Sequence, residues 1–189
     1  MRRPAAIALG CSAGGPEALK VVLGGLDPRL PQAVLVCCHT GSETAELLCA
    51  LLARASRLPV IEAAEREPVR GGVVQVAPAG YHLLVERDLH FTLSADPRVN
   101  LSRPSIDVLF ASAAAAWRSA LVGVVLSGAN ADGADGVREL RRLGGCAIVQ
   151  SPGSALAQAM PQAAIDRAGA DHCVPLDAIA PLLNQLCLP

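Results

Sequence analysis

Three short stretches carry side chains that could do chemistry together. Gly10-Cys11-Ser12-Ala13-Gly14 ends the apolar run that starts at Ala5 and precedes a helix beginning after Pro16. The pattern fits the G-x-S-x-G elbow, a sharp strand-to-helix turn that exposes a serine hydroxyl. His39 follows the apolar run AVLVCC at 33–38, and Asp132 and Asp135 lie in ANADGADG, just after ALVGVVLSG at 120–128. A hydroxyl, an imidazole and a carboxylate are the parts of a nucleophile, a general base and an orienting acid. The imidazole takes the serine proton as attack occurs, and the carboxylate fixes its tautomer and stabilises the imidazolium. Ser12 is preferred over its neighbour Cys11 because it is the central residue of the elbow. The chain order Ser…His…Asp differs from the Ser…Asp…His order of α/β-hydrolases, so convergent geometry is expected and membership of that fold is not.

Each of these residues has a plainer reading. A G-x-S-x-G match is cheap in a Gly- and Ala-rich chain, His39 could be a satisfied half-buried histidine, and Asp132 could simply cap its helix. What raises them together is their common position after apolar strands. The rival use of the first turn, a phosphate cradle at a helix N-terminus, fails in detail. Gly10, Gly14 and Gly15 lack the G-x-G-x-x-G spacing, the second strand ends in Cys-Cys-His rather than an acid, and Lys20 has no Gly-Lys-Ser/Thr context. His82, His90 and His172 lie in the hairpin segments or near the last strand and are weaker candidates for the base. No His/Cys/Asp spacing suggests a metal site, and no cofactor is expected.

The elements that must position these residues alternate. Strands are predicted at 5–10, 33–38, 120–128 and 146–150, with a short one at HCVP. Helices are predicted at 16–24, 42–55 (from a Ser42 cap), PSIDVLFASAAAAWRSA, 132–143, 161–169 and 176–187. GVVQVAP and HLLVERDLHFTL read as short hairpin strands. Continuously apolar strands alternating with helices predict an α/β fold: a mostly parallel, doubly wound sheet with helices on both faces. Residues 66–100 would be a small antiparallel addition at its edge. Ligands of such sheets bind outside the carboxyl ends of the strands, where Ser12, His39 and Asp132 all emerge. The chain has 189 residues, 52% of them apolar, and a net charge of −1. That is enough for one well-buried domain, without the basic character of a nucleic-acid binder. No signal peptide and no membrane-spanning run is recognised. The seven cysteines show no C-x-x-C pair, so free thiols and a cytoplasmic location are expected. Cys37, Cys49 and Cys146 are expected to be buried, while Cys11 and Cys38 look exposed beside the site, which leaves open whether the site is oxidation-sensitive.

Several long motifs in order give the chain a resemblance, over about residues 5–187, to the catalytic domain of the bacterial chemotaxis protein-glutamate methylesterases, the CheB family. The matching stretches are GCSAGGPEAL, His39 at the end of the second strand, APAGYH at 77–82, SRPSIDVLFASAA at 102–114, LSGANADGADGVREL at 126–140, and GGCAIVQSP followed by AMPQAA at 159–164. The resemblance implies a serine hydrolase that demethylates γ-glutamyl methyl esters on the cytoplasmic domains of methyl-accepting chemotaxis receptors. In many members it also implies deamidation of receptor glutamines. Carried over by residue, Ser12 is the nucleophile, His39 the base and then acid, Asp132 the orienting carboxylate and Asp135 a helix-side residue. Backbone N–H groups would hold the oxyanion, with Ala13 and Ala129 as the candidate donors.

The chain departs from the family pattern around this triad. Ala13, Ala129 and Ala131 stand where threonine, methionine and asparagine are usual, and Cys38 and Thr40 flank His39 where Gln and Met are frequent. These changes leave open a catalytically weakened receptor-binding relative, and a nucleotide-binding domain stays as a third reading. A single catalytic domain over 1–189 without the family's receiver domain is expected. Control would then come from a separate receiver protein or from receptor docking alone.

Overall fold

The computed structural model describes residues 3–39 and 45–189. Seven strands form one wholly parallel sheet: β1 (Ala6–Cys11), β2 (Ala33–Cys38), β3 (Val60–Glu62), β4 (Val74–Val76), β7 (Leu121–Val125), β8 (Cys146–Gln150) and β9 (His172–Val174), in the order β3-β4-β2-β1-β7-β8-β9. Two more, β5 (His82–Val85) and β6 (Phe91–Ser94), pair antiparallel as a separate two-stranded sheet. The antiparallel pair is therefore present, but it does not extend the main sheet's edge as expected. It packs against the helix Ile106–Trp117 instead. GVVQVAP supplies no hairpin strand: Val74–Val76 lies parallel between β2 and β3. A three-residue strand carries too little periodicity to declare its partner.

Among the described residues there are six α-helices, five between strands and one after the last: α1 (Gly15–Gly25), α2 (Ala45–Ala55), α3 (Ile106–Trp117), α4 (Ala134–Arg142), α5 (Ala159–Ala168) and, after β9, α6 (Leu176–Cys187). The expected Ser42 cap of α2 lies outside the described residues. Alternation along the strands sends side chains to two separate aliphatic layers. Ile7, Leu9, Val34 and Val36 pack with α1, α2 and α6 through Leu19, Leu23, Leu52 and Leu183. Ala6, Ala8, Leu35 and Val125 pack with α3, α4, α5 and the hairpin through Ile106, Phe110, Leu140, Met160 and Phe91. Parallel strands buried on both faces account for their unbroken apolar runs.

The chain starts at the centre of the sheet with β1, builds outward through β2 to β3, then returns to the other side of β1 with β7. The reversal lies between β1 and β7, the crevice where doubly wound sheets bind ligands. Ser12 leaves β1 at that point. In the β1–β2 register Cys11 faces Cys38, so Ser12 and His39 are the next residues on neighbouring strands. His39 N–H donates to the Cys11 carbonyl at 3.0 Å. The loop after β7 brings in Asp132.

Candidate active site

The turn after β1 is tied down on several sides. Ser12 N–H donates to the Ser127 carbonyl at 2.9 Å, and Gly15 N–H donates to the Ser12 carbonyl at 2.7 Å. Gly14, at φ 73°, adopts the left-handed conformation that glycine accepts without Cβ strain, and α1 starts immediately after it. Ser127 Oγ braces the turn by donating to the Ala13 carbonyl at 2.6 Å. Ser12 is half-buried in this arrangement. Among the described residues, neither the Ala13 N–H nor the Ala129 N–H has an acceptor. Both are exposed beside the turn, free to point at a developing negative charge.

Asp132 is completely buried and is the best-supported side chain of the site. Its Oδ2 accepts from His39 Nε2 at 2.7 Å and from the Ile106 N–H at 2.7 Å. Its Oδ1 accepts from Ser105 Oγ at 2.8 Å, the Asp107 N–H at 3.1 Å and Asn100 Nδ2 at 3.2 Å. Two of these donors are the first N–H groups of α3, which lack partners inside their helix and favour a negative charge. Burial by itself raises the carboxyl. The hydrogen bonds from His39, Ile106, Ser105 and Asp107 overcome it and hold the pKa at about 2. Asp132 is therefore an anion at any physiological pH. It does not cap its own helix: α4 has Gly133 at its N-cap and no side-chain cap there.

The acid that serves α4 comes from α3. Asp107 Oδ1 accepts from the N–H groups of Gly133 at 2.9 Å and Gly136 at 2.6 Å. The two helices thus exchange carboxylates, Asp132 onto the start of α3 and Asp107 onto the start of α4. Asn100 Nδ2 bridges the two acids, at 2.7 Å from Asp107 Oδ2. Burial pushes Asp107 up, the Gly136 N–H opposes it, and the neighbouring Asp132 charge raises it further, to about 6. The close approach depends on Gly136, where a Cβ would lie 2.7 Å from Phe110 Cβ.

His39 has its Nε2 on Asp132, which leaves Nδ1 as the ring nitrogen without a carboxylate partner. Nδ1 lies 3.3 Å from Ser102 Oγ. Among the described residues, Ser12 Oγ makes no hydrogen bond. The structure thus joins His39 to Asp132 and sets Ser12 beside them by strand register. Asp135 stands apart on the α4 surface, paired with Arg138 at 3.0 Å and Arg167 at 2.6 Å. His82, buried, accepts the Ser105 N–H at Nδ1 and reaches the Pro97 carbonyl through Nε2. It supports the start of α3 and, among the described residues, makes no hydrogen bond to the serine turn.

Sequence reasoning misses Asn100, Ser102, Ser105 and Asp107 as parts of the site, although SRPSIDVLF lies in one of the matching family motifs. The one legible signal was Ser105 as an N-cap, which accepts from the Val108 N–H at 3.4 Å. The thiol expectations need correction. Cys11 and Cys38 are buried, facing the α1 side of the sheet, because strand alternation turns them away from the site. Burial, and then the hydrogen bond with Cys38, pushes the Cys11 thiol well above its ordinary range. Cys37 is buried as expected, whereas Cys49 and Cys146 are only partly so.

The family model described as CheB methylesterase matches residues 7–183. The chain belongs to the CheB methylesterase family. A Leptospira interrogans protein, provisionally named a protein-glutamate methylesterase/protein-glutamine glutaminase, is 40% identical over 181 residues, covering 96% of this chain and 94% of that protein. A Symbiobacterium thermophilum protein-glutamate methylesterase/protein-glutamine glutaminase is 36% identical across 95% of this chain, which spans 49% of that longer protein. The crystal structure of the Thermotoga maritima CheB methylesterase catalytic domain superposes with a TM-score of 0.93 at 28% identity, covering 98% of this chain and all of that one.

Proposed function

We propose that this CheB-family chain hydrolyses γ-glutamyl methyl esters on the cytoplasmic domains of chemotaxis receptors, with Ser12 as nucleophile, His39 as general base and acid, and Asp132 as orienting anion. The observation that carries this reading is the 2.7 Å bond between His39 Nε2 and a wholly buried Asp132, at the strand end next to the Ser12 turn. It commits Nε2 as a donor and leaves the Nδ1 lone pair to act as base.

The reaction then runs in two halves. Ser12 Oγ attacks the ester carbonyl carbon, its proton passes to His39 Nδ1, and the carbonyl π electrons move onto oxygen. The Ala13 and Ala129 N–H groups are the donors for that oxyanion. Its collapse re-forms the carbonyl and breaks the bond to the methoxy oxygen, which leaves as methanol with the proton from Nδ1. Water attacks the acyl-enzyme, gives a proton to Nδ1, and Ser12 Oγ departs with that proton, releasing the glutamate side chain. A glutamine amide would follow the same course with ammonia as leaving group.

The backbone N–H, and no side chain of Ala13 or Ala129, is what this scheme uses, so the alanines there leave the chemistry in place. One sheet with both faces covered supports reading 1–189 as one catalytic unit. No helix among the described residues is long and apolar enough to cross a membrane, and action on receptor cytoplasmic domains would place the chain in the cytoplasm. Control by a separate receiver protein is an expectation of the family resemblance, tested by assaying with and without a phosphorylated receiver.

The deciding experiment is methanol release from methylated receptor cytoplasmic fragments by the wild type and Ser12→Ala. Release that vanishes in the variant is the expected result. Binding of the fragments with no release by the wild type would instead make the chain a receptor-binding relative.

A further inference from the structure

We propose that Ser102 is a positioning residue that occupies the base in the free enzyme and yields it to Ser12 when substrate arrives. The inference rests on the roles just proposed for Ser12 and His39. Its ground is that Nδ1, the ring nitrogen not taken by Asp132, has the Ser102 hydroxyl at 3.3 Å, while Ser12 Oγ makes no hydrogen bond among the described residues.

The chemistry of that contact follows from the tautomer. With Nε2–H donating to Asp132, neutral His39 presents a lone pair at Nδ1, and the Ser102 hydroxyl donates to it. A hydroxyl can also turn round. When Nδ1 carries a proton, Ser102 Oγ can accept it while sending its own hydrogen to the Asn100 carbonyl, 3.4 Å away. Ser102 thus satisfies Nδ1 in both protonation states without being consumed. In doing so it competes for the lone pair that Ser12 needs.

The placement of Ser102 suits a contact that substrate can break. Val99 and Ser102 exchange backbone hydrogen bonds of 3.1 and 2.9 Å across a two-residue turn. Both tip residues are left-handed, Asn100 at φ 48° and Leu101 at φ 64°. Asparagine tolerates that conformation and here holds the two buried acids, but leucine does not favour it. Leu101 is nonetheless 88% exposed and makes no packing contribution that would offset the strain. A strained, outward-facing apolar residue next to Ser102 is where an incoming receptor segment would press on the turn.

The test separates activation of Ser12 from receptor chemistry by using a small fluorophosphonate probe without receptor. Ser12 Oγ attacks phosphorus, fluoride leaves, and the serine proton passes to His39. Labelling of the wild type that is absent in Ser12→Ala establishes the nucleophile, so its failure sinks the functional reading itself. Given that labelling, Ser102→Ala is expected to react several-fold faster with the probe, and Ser102→Thr, which keeps the hydroxyl, at the wild-type rate. On methylated receptor fragments, Ser102→Ala should raise kcat/KM, because substrate no longer has to displace the contact on Nδ1. Unchanged or slower probe labelling in Ser102→Ala overturns the proposal, as does equal acceleration in Ser102→Thr.

Discussion

At the scale of single residues, the site is organised around what Asp132 must accept. Five donors converge on two oxygens that have no contact with water. An asparagine at this position keeps one oxygen and replaces the other with an NH2 group. If that group faces His39, Nε2 must turn acceptor and the ring proton moves to Nδ1, the nitrogen that has to be free. Asp132→Asn is therefore expected to lower turnover by about 10³–10⁴, the scale seen when a serine-protease triad loses its acid. Methanol release measured beside far-ultraviolet circular dichroism checks this, since a folded variant of normal activity would make Asp132 a structural cap of α3 only. Asp135→Asn, in an exposed arginine pair, should stay near wild-type activity.

At the scale of elements, the reciprocal exchange between α3 and α4 turns two helix starts into one rigid unit. Asp107 keeps its proton up to about pH 6 in the fold but loses it near its ordinary value of 3.8 when unfolded. Between those values the native state holds the extra proton. The stability this contributes is full below about pH 4 and is lost as pH rises through 6. Asp132 has the opposite sign, with stability lost as pH falls from about 4 through 2. The unfolding free energy of the wild type minus that of Asp107→Asn should therefore fall between pH 4 and 7, by on the order of 3 kcal/mol for a shift of about two pH units. Urea titrations at the two pH values measure it. A difference that grows with pH would mean that the N–H groups of Gly133 and Gly136 dominate and Asp107 is ionised throughout.

This unit also marks where sequence reading stopped. Ser12, His39 and Asp132 were legible because each follows an apolar strand, and a parallel sheet delivers its strand ends to one edge. Asn100, Ser102, Ser105 and Asp107 belong to a turn and a helix start that reach that edge only through packing of α3 against α4. Nothing local to SRPSID says that its hydroxyls and N–H groups face a carboxylate 25 or more residues away. The hairpin was misplaced for the same reason, since pairing within β5 and β6 says nothing of which element the pair will cover.

At the scale of the whole molecule, two aliphatic layers on one sheet decide which thiols are reachable. Strand alternation puts Cys11 and Cys38 in the layer beneath α1 and Cys37 in the layer beneath α3, while Cys187 closes α6 onto the first layer. Thiolate, not thiol, attacks a disulfide reagent, and burial raises the thiol pKa. Cys49, Cys146 and Cys187 are pushed to about 11 by burial, and Cys11 and Cys37 further. Cys173 alone is exposed. Native protein treated with 5,5′-dithiobis(2-nitrobenzoate) at pH 7.5 should therefore titrate about one thiol promptly, and all seven once unfolded in guanidinium. Esterase activity should survive the prompt phase, because Cys173 ends the sheet in β9, at the far edge from β1 and β2. Rapid reaction of three or more thiols with loss of activity would show that the layer under α1 opens to solvent, and that Cys11 and Cys38 tie the site to the redox state.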